Sequence, residues 1–283
     1  MSIELKYKNQ NSIFVEQEKN GVRYLEYPLF TRTGMVKHGF STRLGGVSQG
    51  HYSTMNLSFA RADDPIAVRE NFHRFCNAIG TTTEHLVCSH QTHTTNVRVV
   101  TKEDCGKGYN RPRDYEDVDG LVTNESGVCL ATFYADCVPL FFLDTVKHAI
   151  GLAHSGWRGT VGKIGEKTVA QMTASYGTNP KDVLAAIGPS ICQSCYEVNE
   201  DVIEEFRKQY KQSQWQELFY KKENGKYQLN LWKANEIVLK ETGITQEHTI
   251  VTNLCTCCNE QLLFSHRASH GKRGNLGAFL ELK

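Results

Sequence analysis

Three nearly continuous apolar runs, at residues 128–134, 138–144 and 148–154, follow one another with three residues between each. Such runs lack the polar alternation of a half-exposed strand and are expected of strands covered on both faces. A chain that carries them in succession must bury a sheet core wrapped by helices. Further β-branched and aromatic runs at 36–42, 96–101 and 183–188 make predicted strands outnumber helices. The sharpest helix signal starts at Asp64 as N-cap with Pro65 in the first turn. Val68, Phe72, Phe75 and Ile79 then recur on one face, and Gly80 marks the stop. The same reasoning predicts helices at 160–176, ending at Gly177, at 199–210 with Val202, Ile203 and Phe206 inward, and at 230–242 between Asn230 and Gly243. A length of 283 residues suits one large or two ordinary domains. No repeat, low-complexity tract or linker divides it, so one domain over 1–283 is the simplest expectation.

Composition narrows the function class. Hydrophobic residues at 40% and charged residues at 22% exclude a disordered chain. Thirty-two Lys and Arg against 31 Asp and Glu leave a formal charge of +1, so no bulk field draws nucleic acid or anionic lipid. The first residues show no basic-then-apolar leader, and no run of about 18 apolar residues occurs, so a cytoplasmic protein without a membrane partner is expected. In that setting ten cysteines read as thiols, catalytic groups or metal ligands rather than as disulfides.

Reactive side chains gather at strand ends, where a layered protein presents groups from a rigid scaffold. Gln91-Thr92-His93 precedes one strand, Ala135-Asp136-Cys137 separates two buried runs, and His154-Ser155-Gly156-Trp157-Arg158-Gly159 closes a third. Two imidazoles and one thiolate suit Zn²⁺, and a three-residue set leaves a fourth position for water whose pKa the metal lowers toward about 7. His90 competes with His93, but in an extended segment the two point to opposite faces. With eleven histidines and ten cysteines many other triplets exist, and a packed Cys or His is the plainer alternative for each. Cys192-x-x-Cys195 and Cys255-x-Cys257-Cys258 could in principle form a four-thiolate zinc site. The second run reads as an irregular knuckle, however, so thiols without a second metal are expected there.

The segments Phe40-Ser41-Thr42-Arg43-Leu44-Gly45-Gly46-Val47-Ser48, Asn56-Leu57, Gln91-Thr92-His93, Ala135-Asp136-Cys137, His154 to Gly159, Ile187-Gly188-Pro189 and Cys255-Thr256-Cys257-Cys258 together resemble the YfiH/YlmD family. That family was long labelled polyphenol oxidase or laccase-like. It is now regarded as purine nucleoside phosphorylases with adenosine deaminase and methylthioadenosine phosphorylase activities. The resemblance implies an α+β fold, a single-domain layered α/β/β/α sandwich of mixed sheets flanked by helices, similar in topology to certain bacterial cysteine-dependent deamidase toxins. It also implies a zinc ion on His93, Cys137 and His154, and purine nucleosides and phosphate as small-molecule partners; a monomer is expected.

On that reading, metal-activated water would attack C6 of adenine and release ammonia. Phosphorolysis would need cations that hold phosphate beneath C1′ while the leaving purine is protonated at N7. Arg43, in a Gly-Gly turn, and Arg158, in a glycine-flanked loop, are the candidates for that clamp, with a salt bridge or a stacked guanidinium as the structural alternative for each. Asp136 is a candidate proton shuttle or a turn former, and Trp157 a purine platform or a core plug. Thr94 stands where the family usually has glycine. Arg267-Ala268-Ser269 and Gly274-Asn275-Leu276 replace Arg-Arg-Asp and Gly-Arg-Met, which removes two basic side chains and bears on phosphate affinity. Rival readings are a metal-free hydrolase with Cys137 as nucleophile and His154 as base, a peptidoglycan-precursor editing enzyme, and a non-catalytic zinc protein. A copper oxidase is disfavoured because the sequence has no His-x-His pairs.

Overall fold

The computed structural model describes residues 13–283. The first twelve residues, part of the stretch read for a leader, lie outside it. The chain opens with the strands β1 (Val15–Lys19) and β2 (Val22–Glu26), the short helix α1 (Pro28–Thr31), β3 (Val36–Ser41) and the helix α2 (Pro65–Ile79). Next come β4 (Leu86–Cys88), β5 (Val97–Val99), β6 (Gly120–Thr123), β7 (Cys129–Tyr134), β8 (Val138–Asp144) and β9 (Ala149–Ser155). Helices α3 (Trp157–Val161) and α4 (Ile164–Tyr176) lead to β10 (Val183–Ile187), β11 (Glu197–Val198) and α5 (Glu200–Gln209). The rest is α6 (Trp215–Leu218), β12 (Phe219–Lys221), β13 (Tyr227–Leu229), α7 (Leu231–Thr242), β14 (Thr249–Val251) and β15 (Leu276–Leu282).

Two six-stranded mixed sheets result, in the orders β1-β2-β3-β15-β7-β4 and β14-β10-β8-β9-β6-β5, with a small third sheet β11-β13-β12. The three apolar runs are β7, β8 and β9, but they do not share one sheet. β7 lies in the first, between β15 and β4. β8 and β9 pair antiparallel in the second. The turn Ala135-Asp136-Cys137 therefore carries the chain from one sheet to the other.

Side-chain alternation shows why the strands are apolar on both faces. Leu130, Leu280 and Phe40 of the first sheet meet Phe141, Leu121 and Leu152 of the second in the central layer. Phe279 and Ala131 turn outward under Val68, Phe72 and Phe75 of α2. Leu140 and Phe142 turn outward under Val169 and Met172 of α4 and Val238 and Leu239 of α7. The layers are thus helix, sheet, sheet, helices, the α+β arrangement implied by the resemblance.

Helix α2 keeps its expected limits. The Asp64 side chain accepts the Ile66 amide, and Gly80 ends the helix at φ 83°. The segment 160–176 differs from expectation. Gly162 and Lys163 interrupt it, with Lys163 at φ 57°, so two helices replace one. Among the described residues no helix is long and apolar enough to cross a membrane.

Strand β15 holds the middle of the first sheet, and its Phe279 ring lies 4.8 Å from Phe75 and 5.9 Å from Phe72. Replacing this fully buried ring leaves a cavity that the two neighbours cannot fill. Phe279→Ala is expected to lower unfolding stability by about 3–5 kcal/mol, measured by urea denaturation; a loss below about 1 kcal/mol would contradict this packing.

Candidate metal centre

Three backbone segments meet where the sheets adjoin. His154 is in β9, opposite Pro139 of β8, so its ring stands beside the first residues of β8. Cys137 ends the turn between the sheets, after Asp136 at φ 89°. His93 lies in the loop between β4 and β5, itself at φ 67°. Left-handed backbone at two non-glycine residues is unfavourable and persists only where neighbours impose it. Ligand atoms of His93, Cys137 and His154 lie within 4.8 Å of one another. The set grades from exposed His93 through half-buried Cys137 to buried His154.

The residue that imposes this geometry is Asp119, fully buried and directly before β6. Its carboxylate accepts the amides of Thr92 at 3.0 Å, His93 at 3.2 Å and Thr94 at 2.9 Å. It also accepts the Thr94 hydroxyl at 3.0 Å and pairs with His154 Nδ1 at 2.7 Å. Burial pushes the Asp119 carboxyl up, but the hydrogen bonds from His154 and from the Thr94 and Thr92 amides hold it below the ordinary range. With Nδ1 committed to Asp119, His154 presents Nε2 to the cluster, as carboxylate-oriented metal histidines do. Sequence reading missed Asp119; its signal was a carboxylate directly before a strand, able to fix an imidazole tautomer.

Burial lowers the His93 pKa, and the charges of His154 and Arg158 act in the same direction, which favours the neutral, ligating imidazole. For His154 burial also lowers the pKa, but Cys137 and Asp119 outweigh it and raise the ring to about 9. Gly156 completes the cradle. A Cβ there would stand 2.5 Å from His93 Nδ1 and 3.2 Å from Cys137 Sγ.

The cluster floors a cleft of about 500 Å³ whose cations are Arg61, Arg113 and Arg273, with Phe59, Phe72 and Phe133 on an apolar wall. Arg273 is 9% exposed; burial first, and the charge of Arg61 second, lower its pKa to about 10. Its Nε has no hydrogen-bond partner, while Nη1 contacts the Gly274 carbonyl and the Asn275 side chain. Arg43 and Arg158 are not among the cleft-lining residues. Arg43 donates to the carbonyls of Ser53 and Glu260, both at 2.8 Å, and lies over the Phe264 ring. Arg158 stacks on Trp157 at 4.3 Å. Asp136 accepts hydrogen bonds from Thr256 and from the Arg267 amide.

The remaining cysteines correct one expectation. Cys192, Cys195, Cys255 and Cys258 also converge, with their sulfurs within 4.8 Å of one another, and so could hold a metal ion. Cys255 and Cys258 are separated by two residues, the ordinary knuckle gap. Cys257 fills one intervening position and had hidden that spacing.

A layered α+β protein with a two-imidazole, one-thiol cluster on the floor of an arginine-lined cleft is the class that fold and site define. The family model described as multi-copper polyphenol oxidoreductase laccase matches residues 37–283. Among proteins of similar sequence, purine nucleoside phosphorylase YlmD of Bacillus subtilis is 38% identical over 249 residues, 87% of this chain and 88% of that protein. A purine nucleoside phosphorylase of Bacteroides thetaiotaomicron is 33% identical over 260 residues, 90% and 94% of the two chains. The crystal structure of YlmD from Geobacillus stearothermophilus superposes with a TM-score of 0.88 at 34% identity, covering 96% of this chain and all of the other. The chain belongs to this YfiH/YlmD family.

Two outcomes follow from the geometry. Gly156→Ala, at φ −70° where alanine is unstrained in backbone, is expected to abolish metal retention by displacing His93; undiminished metal content on elemental analysis would refute the cradle. In metal-stripped protein the raised His154 pKa stabilises the fold fully below about pH 6.5, and that contribution is lost as pH rises through about 9. NMR titration of the His154 ring in the metal-stripped protein should place its midpoint well above the ordinary histidine value of about 6.5, and a midpoint at or below that value would contradict the pairing with Asp119 and Cys137.

Proposed function

We propose that this protein is a zinc-dependent purine nucleoside phosphorylase acting on adenosine, inosine and methylthioadenosine, with adenosine deaminase activity in the same cleft. The observation that carries the reading is the Arg61 and Arg273 pair facing the His93, Cys137 and His154 cluster across one cavity. Burial first and the charge of Arg61 second lower the Arg273 pKa, an anion beside Arg273 would offset both, and phosphate offers the matching oxygens. The names of the relatives support the same substrate class.

The donor set fits zinc, because one sulfur and two imidazole nitrogens are ligand types that zinc accepts, and His93, Cys137 and His154 would hold it. When bound by His93, Cys137 and His154, zinc supplies a Lewis acid and activates water near neutral pH. The chain's own groups do the rest. Asp119 fixes the His154 tautomer and, through three amides, the strained loop at His93. Arg61 and Arg273 hold phosphate against the ribose, and Phe59, Phe72 and Phe133 shelter the purine from water. In this reading the phosphate clamp passes from Arg43 to Arg273, because Arg43 already spends its Nε and Nη1 on backbone carbonyls. Arg158, stacked on Trp157, adds to the lowering of the His93 pKa through its charge.

A metal-free cysteine hydrolase is the second reading, favoured by the closeness of His154 and Cys137, whose nitrogen and sulfur lie within 4.8 Å. Chelation separates the two. The stripped protein is expected to be inactive on adenosine and restored by zinc, whereas the hydrolase would stay active and remain sensitive to thiol alkylation.

The decisive assay follows adenosine with and without phosphate. Adenine and ribose 1-phosphate are expected with phosphate, inosine without it, and both are expected to vanish in Cys137→Ala. Arg273→Gln is expected to raise KM for phosphate by about 10- to 100-fold, the loss of one charge-assisted contact, and KM for adenosine by much less. Equal effects on both substrates would remove Arg273 from the phosphate site.

A further inference from the structure

We propose that Cys192, Cys195, Cys255 and Cys258 bind a second, structural zinc ion whose closed tetrathiolate site pins the strained turn that presents Cys137. The two pairs come from distant parts of the chain, with 59 residues between Cys195 and Cys255. A parallel bridge joins Ser190 to Cys255 and sets the pairs side by side. The Ser190 amide donates to the Leu254 carbonyl, and the Thr256 amide to the Ser190 carbonyl, both at 3.2 Å. Cys192 opens the short 3₁₀ turn Gln193–Cys195, so the two sulfurs of that pair flank one tight bend.

Sulfur spacing fits the ion. Cys258 Sγ lies 3.5 Å from Cys195 Sγ and 4.0 Å from Cys192 Sγ. A tetrahedron with bonds of about 2.3 Å has edges of about 3.8 Å. The amides of Cys192 and Cys258 both point at Cys255 Sγ, at 3.2 and 3.4 Å. All four donors are soft, which selects zinc over magnesium or calcium. Four protein ligands leave no position for substrate, so the site is structural and separate from the His93, Cys137 and His154 cluster.

Its neighbours connect it to that cluster. Thr256, between the ligands of the second pair, donates its hydroxyl to Asp136 Oδ1 at 2.6 Å. Ile191, next to Cys192, donates its amide to the Asp136 carbonyl at 2.9 Å. The Arg267 amide reaches Asp136 Oδ2 at 2.7 Å, and its guanidinium caps the Cys195 carbonyl at 3.2 Å. Asp136, at φ 89°, directly precedes Cys137. Each bond that restrains this unfavourable backbone therefore starts from a residue of, or one docked on, the four-cysteine site. The ion would cross-link the two segments that hold Asp136, making these residues positioning groups for Cys137.

The test is zinc content and coordination in full-length protein purified with zinc. The wild type is expected to hold two zinc ions per chain. Cys137→Ala should keep one, with an X-ray absorption shell of four sulfurs at about 2.3 Å. Cys195→Ser/Cys258→Ser should keep one in a mixed nitrogen and sulfur shell, and should yield it to a chelator about 10- to 100-fold more readily than the wild type, as supporting-residue losses do. If the double variant does not fold, Cys137→Ala decides alone. A metal-free Cys137→Ala protein, a nitrogen or oxygen shell in it, iron or a disulfide in place of zinc, or a double variant that retains its ion as tightly as the wild type would each overturn the proposal.

Discussion

A single buried carboxylate organises this protein's chemistry. Asp119 binds three consecutive amides of the His93 loop and the Nδ1 of His154, so two of the three clustered side chains are held by one residue. A buried ion without partners would cost several kcal/mol, and here three amides, the Thr94 hydroxyl and His154 Nδ1 are directed at it. The strain at His93 is sustained by the same bonds. Without the carboxylate, three amides would lose their acceptor and His154 could turn its other nitrogen to the cleft.

The fold explains why the third member arrives there. β7 and β8 belong to different sheets, so the turn between them spans the central layer and exposes Cys137 at its rim. A hairpin would have kept both strands in one sheet. The left-handed Asp136 redirects the chain, and Thr256, Ile191 and Arg267 hold it in place.

Much of this was legible in the sequence, for physical reasons. Apolar runs without alternation announced β7, β8 and β9, and the Asp64, Pro65 and Gly80 punctuation bounded α2. What stayed hidden depended on contacts between distant residues. Period and length do not say which sheet a strand joins, so the crossing at 135–137 could not be read, nor could the central place of Leu276–Leu282. Asp119 carries no local motif; its role exists only once β6 lies beside β9. The surroundings of the arginines were equally hidden. Arg43 stands in a glycine turn that looks poised for a ligand, yet backbone carbonyls occupy its Nε and Nη1, whereas Arg273 reaches the cleft two residues before Asn275. The knuckle at Cys255 and Cys258 was obscured by the cysteine between them.

The most direct measurement is anomalous diffraction at the zinc edge from crystals of the intact protein. The account requires a peak bonded to His154 Nε2 and to a His93 ring nitrogen at about 2.0–2.1 Å and to Cys137 Sγ at about 2.3 Å, with His154 Nδ1 still paired to Asp119. A peak bonded to His154 through Nδ1 with Asp119 turned away, or no peak among these three side chains, would contradict it.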